Sequence, residues 1–129
     1  MTVTRHDPDD LFDARPLGMS HTVSATGRLV VVSGQVALDG NGTLVGAGDF
    51  EAQAVQVFDN LAVALAAAGA TFADVVRLGS YLTDMSNLGV LRDVRLRYLS
   101  EPYPAATAVA ATLAMPELLV EVDAIAVVD

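Results

Sequence analysis

The stretch "LLVEVDAIAVV" (118–128) decides the fold. Read with a period of two, Val120, Val122, Ala124 and Ala126 share one face. Leu119, Glu121, Asp123, Ile125 and Val127 take the other. Both faces are mostly apolar, the pattern of a strand covered on both sides. One side is expected to meet helices of its own chain, the other a second subunit.

Upstream, "AATAVAATL" (105–113) alternates in the same way. Ala106, Ala108 and Ala110 point one way, and Thr107, Val109 and Ala111 the other. Before it, Leu88, Leu91, Val94, Leu96 and Tyr98 predict a helix over about 87–99, capped by Ser86 or Asn87 and ended by Glu101-Pro102. "DVVRLGSYLTD" (74–84) is β-branched and short enough for a strand. A longer helix precedes it. Asp49 is its N-cap, and Phe50, Ala54, Val57, Phe58, Leu61, Ala64, Leu65 and Ala68 recur at steps of three and four. Gly69 stops it.

"RLVVVSGQVAL" (28–38) is a strand with Gly34 inside it, which predicts a bulge or a close backbone approach. "HTVSATG" (21–27) is a further strand, and residues 1–17 read as an irregular arm. The order predicts an α+β chain in one domain, 1–129, with one mixed sheet and two helices on one face.

Composition narrows the function. Hydrophobic residues make up 53% of the chain, and an oligomer interface is the natural place for the surplus. No window reaches the ~18 apolar residues of a spanning helix, and "MTVTRHDPDD" has no secretory apolar core. A cytoplasmic location without membrane contact is expected. The formal charge is −9, and all seven cations are arginine, clustered only at Arg92, Arg95 and Arg97. Nucleic acid is therefore not an expected partner. No cysteine is present, so disulfides, thiolate nucleophiles and cysteine-ligated metals are excluded. His6 and His21 have no metal-binding spacing, and neither metal nor cofactor is expected. His21 reads as structural.

Three segments together resemble the Rid family, also called YjgF/YER057c/UK114 and historically the L-PSP endoribonucleases. They are "SHTVSATGRLVVVSGQVAL", "GDFEAQAVQVFDNLAVALAAAGATFADVVRLGSYLTDM" and "PYPAATAVAATLAMPELLVEVDAIAV". The resemblance covers about residues 17–128. It implies a chorismate-mutase-like homotrimer whose three sheets form a central barrel, with small-molecule clefts between subunits. The best-known members hydrolyse 2-imino or enamine acids to 2-keto acids and ammonia.

The same resemblance implies site residues. Family deaminases carry a carboxylate-gripping arginine after Pro-Ala in the strand that here reads Pro104-Ala105-Ala106-Thr107. Ala106 holds that position and cannot supply a bidentate grip. A second departure is Met19, which stands where the deaminases have a cleft tyrosine. Glu121 matches the family glutamate near the attacking water, and Thr107 a position whose backbone contacts the ligand. Ser33 belongs to "SGQ", and Arg92 sits near a cleft-lining position on the second helix, where it could supply a displaced cation.

Plainer readings stand beside these. Glu121 could face a solvated trimer axis with Asp123, and Arg92 a solvated helix face. Ser33 could serve only as a hydrogen-bonding residue at a bulge. Tyr103 either packs at a subunit interface or covers the cleft. The alanines of 105–111 could simply pack into a tight barrel. Three functions follow: hydrolysis of a small imine, enamine or related carbonyl compound other than a free 2-imino acid; non-catalytic binding of a small molecule or protein client; and, least favoured in an acidic chain, RNA cleavage.

Overall fold

The computed structural model describes residues 2–129. Its strands are β1 (Thr2–His6), β2 (Thr22–Thr26), β3 (Arg28–Gln35), β4 (Val75–Leu82), β5 (Ala105–Ala110) and β6 (Val120–Val128). Its two long helices are α1 (Phe50–Ala67) and α2 (Leu88–Tyr98). The main sheet runs β3-β6-β4-β5. β6 is antiparallel to both neighbours, and β4 and β5 are parallel. The α+β reading holds, with both helices on one face of a mixed sheet.

The strand that decided the fold sits inside this sheet. Val120, Val122, Ala124 and Ala126 are buried beneath the helices with Val30, Val32, Leu78 and Leu82. α1 closes that face with Ala54, Val57, Phe58, Leu61 and Leu65, all fully buried. Asp49 caps α1 as expected, accepting from the Ala52 N–H, and Gly69 follows it at φ +74°.

The opposite face of the sheet carries no helix. Leu29 and Val31 are 63% and 69% exposed there, and Val109 lies on the same side. Large aliphatic side chains left open on a sheet face mark a surface built to be covered.

Three expectations change. Residues 2–6 are not irregular: β1 pairs antiparallel with β2 in a separate two-stranded ribbon, from Thr2↔Thr26 to His6↔Thr22. Val3 and Arg5 are half-buried between exposed neighbours, but only Val3 is apolar, so the sequence carries no clear alternation there. Neither Ser86 nor Asn87 caps α2 with its side chain. Asp84 instead accepts from the Ser86 N–H and caps a 3-10 turn, Met85–Asn87, that leads into the helix. Leu96, expected on the apolar stripe, is 38% exposed, while Arg95 beside it is 3% exposed.

Candidate functional site

β5 is an edge strand, and a cavity of about 210 Å³ opens against its helix-facing side. Met19, Arg92, Ala106 and Thr107 all line it, so four of the anticipated site residues meet. The register explains how. Ala106 pairs with Leu78, a core residue, and so faces α2. Met19 arrives from the loop before β2, where the Ser20 hydroxyl donates to the Tyr103 carbonyl at 2.6 Å and the Ser20 N–H to the Pro104 carbonyl at 2.9 Å. Those bonds fasten the N-terminal segment to the entrance of β5.

Arg95 lines the same cavity. Its Nη2 donates to the Leu17 carbonyl at 2.5 Å, and its Nε is buried without a partner. Burial, and then the neighbouring charge of Arg92, push its pKa down. Arg92 has no hydrogen bond or ion pair among the described residues. Sequence reasoning noted the arginine cluster but not the burial of Arg95. The signal was present: Leu88, Leu91, Arg92 and Arg95 fall at i, i+3, i+4 and i+7, the inner stripe of α2.

Glu121 is elsewhere. It pairs with Tyr81 on the open face of the sheet, opposite to the face Ala106 occupies. Its carboxylate lies over Gly34 so closely that a Cβ at that position would sit 2.1 Å from Oε2. This is the close approach that Gly34 within a strand predicted, and the β3–β6 register slips there, between Val32 and Gln35. The Glu121 carboxylate, half-buried, makes no hydrogen bond to a described residue. Ser33, exposed at the same bulge, shares a surface hollow with Gly34, Arg77 and Asp123 and does not line the cavity of Ala106. Tyr103 lines neither place; its ring packs at the margin of the core. His21 is structural: its Nε2 donates to the Phe12 carbonyl at 2.7 Å and its ring stands edge-on to Phe12.

Beside Glu121 lies a cluster that sequence reasoning did not assemble. Asp123 accepts from the Gly79 N–H at 3.1 Å and the Tyr81 hydroxyl at 2.9 Å, with Arg77 Nη1 at 3.9 Å. The hydrogen bond to Asp123, with its charge, raises the Tyr81 pKa. These contacts cross from β4 to β6, so spacing along the chain could not reveal them. They engage Asp123 and leave Glu121 as the unengaged acid of this face.

The structure thus places the anticipated residues in two groups. One, at the β5 edge, holds Met19, Arg92, Arg95, Ala106 and Thr107. The other, toward the β3 edge, holds Ser33, Gly34 and Glu121.

Comparison with known proteins agrees with this architecture. A protein of the conserved Rid family from Yersinia pestis superposes with a TM-score of 0.92 at 38% identity, over 99% of this chain and 100% of that one. A RutC family protein of Pyrococcus horikoshii is 30% identical over 87% of this chain and 89% of its own. The 2-iminobutanoate/2-iminopropanoate deaminase of mouse is 37% identical over 78% of this chain and 74% of its own. The family profile for Endoribonuclease L-PSP matches residues 15–128. The chain belongs to that family, the Rid/YjgF proteins.

Proposed function

We propose that this protein hydrolyses a small imine, enamine or related carbonyl compound in clefts between the subunits of a homotrimer. The observation that carries the reading is the split site. The β5-edge cavity and the Glu121 carboxylate lie toward opposite edges and on opposite faces of one sheet. A head-to-tail ring brings one protomer's β5 edge to its neighbour's β3 edge, and a closed ring does so at every interface. The cavity then receives the ligand, backbone groups near Thr107 hold it, and Glu121 of the next copy orients the water that attacks the C=N carbon. Proton transfer to nitrogen and collapse of the carbinolamine release the amine and leave a carbonyl product.

Ala106 separates this chemistry from efficient deamination of free 2-imino acids. Loss of a guanidinium that pairs with a bound charge costs ~2–5 kcal/mol, or roughly 30- to several-thousand-fold in rate. A coupled assay with an amino-acid oxidase as the source of 2-iminopropanoate should therefore show little acceleration. Rates matching an arginine-bearing deaminase would overturn the reading. Non-catalytic binding is the second reading, favoured by the absence of any carboxylate within the cavity of a single copy. Turnover of an imine that is lost in Glu121→Gln separates the two.

A further inference from the structure

Resting on that cleft, and naming what it takes, we propose that Arg92 and Arg95 of α2 are its anion anchor. The ligand is a small organic acid with an apolar body, its carboxylate held from the helix instead of from β5. A carboxylate held there sets the reacting carbon in a different place from one gripped at position 106, so free 2-imino acids remain poor substrates. The chain has sixteen acidic residues and seven arginines. Arg15, Arg77 and Arg97 pair with carboxylates, and Arg5 and Arg28 donate to backbone carbonyls. Among the described residues Arg92 and Arg95 meet no acid and no more than the Leu17 carbonyl between them, and, unlike Arg5 and Arg28, both line one cavity.

That arrangement is costly. The buried Arg95 guanidinium has no counter-charge among the described residues, and the Leu17 carbonyl replaces only part of the hydration it loses, with Nε left unpartnered. Arg92 is three residues away on the same helix face, and like charges there repel. An anion between the two relieves both penalties, and a planar carboxylate suits the guanidinium fork.

The remaining walls set the rest of the ligand. Phe12, Leu17, Met19 and Leu88 are apolar, and Ala106 and Ala108 keep the floor low. A hydrocarbon body gains by covering those walls. Phosphate would turn its outer oxygens toward them, unpaired. Leu17 is tied to the helix by its carbonyl's bond to Arg95, and the Gly18 that follows turns the chain at φ +73°, a conformation that strains any side chain. The anchor is therefore fixed from both the helix and the N-terminal loop.

Calorimetric titration of the full-length protein tests this with butanoate and benzoate, against butanamide, benzamide and inorganic phosphate. The acids should bind saturably and their amides at least roughly tenfold more weakly. Arg92→Gln should weaken benzoate by a similar factor, and Arg95→Gln by more. Circular dichroism and light scattering establish that each variant is folded. Should Arg95→Gln unfold, Arg92→Gln and Arg92→Glu carry the test. Equal binding of acid and amide, unchanged affinity in a folded Arg92→Gln, or phosphate binding as tightly as benzoate overturns the proposal. Imine turnover without acid binding defeats the anchor and leaves the cleft chemistry standing. Acid binding without turnover does the reverse.

Discussion

At the residue scale, glycine is what makes room for Glu121. The backbone at Gly34 has no positive φ, so alanine is allowed there by conformation. What alanine meets is the Glu121 side chain, with Oε2 at 2.1 Å, Cδ at 2.8 Å and Cγ at 3.0 Å. The far end of a flexible side chain yields cheaply, so Gly34→Ala should cost less than ~1 kcal/mol of stability. It should nonetheless displace the carboxylate and lower turnover as far as Glu121→Gln does. Thermal melts and the imine assay together check this; a wild-type rate in folded Gly34→Ala would show that the position of Glu121 is not critical. The sequence disclosed this pair only by half. Gly34 inside a β-branched run announced a close approach, but its partner lies 87 positions away on β6, beyond any local pattern.

At the scale of elements, one polar anchor positions a sheet end and another joins the helices. Gln53 of α1 is fully buried, donates to the Gly46 and Glu117 carbonyls, and accepts from the Leu119 N–H at 2.8 Å. It holds the chain just before β6 delivers Glu121. Gln53→Leu leaves those part-buried backbone groups without their partner, and should cost about 1–3 kcal/mol in urea melts.

Helix packing has a second polar anchor in Tyr98. Its ring stacks on Phe58 and its hydroxyl donates to Asp59 at 2.8 Å. Burial, then the Asp59 bond, raise its pKa to about 12. The unfolded value is about 10, so the native state holds this proton more tightly. Its contribution is complete below the unfolded value and fades as pH climbs through about 12. Stability should fall with rising pH across that window, and more shallowly in Tyr98→Phe. Tyr81, raised by its bond to Asp123, acts with the same sign, so the slope is reduced and not abolished. Helices and central strands were legible because their burial is periodic. The β1 strand and the Asp84 cap were not. A strand with a single apolar residue in a polar arm, and a cap shifted outward by a 3-10 turn, both lie below what local pattern resolves.

At the scale of the whole molecule, the open sheet face and the split site make the same demand. Leu29, Val31 and Val109 are open to a cover, and the proposed hydrolysis draws on an acid that the cavity's own chain keeps on the other face. A heterologous ring answers both, and mixing two inactive variants tests it. Take Glu121→Gln, which keeps the cavity, and Ala106→Phe, which fills it. Each homotrimer should be nearly inactive. When equal amounts are unfolded and refolded together, a site is intact wherever the cavity comes from the first variant and the glutamate from the second. Random assembly of a cyclic trimer places that combination at roughly a quarter of the interfaces. About a quarter of wild-type turnover should therefore return, after refolding together and not after simple mixing of folded trimers. A site contained within one chain would give no recovery, because neither chain carries both intact halves. Light scattering of the refolded mixture must show a trimer mass; a monomer that retains activity would remove the shared cleft altogether.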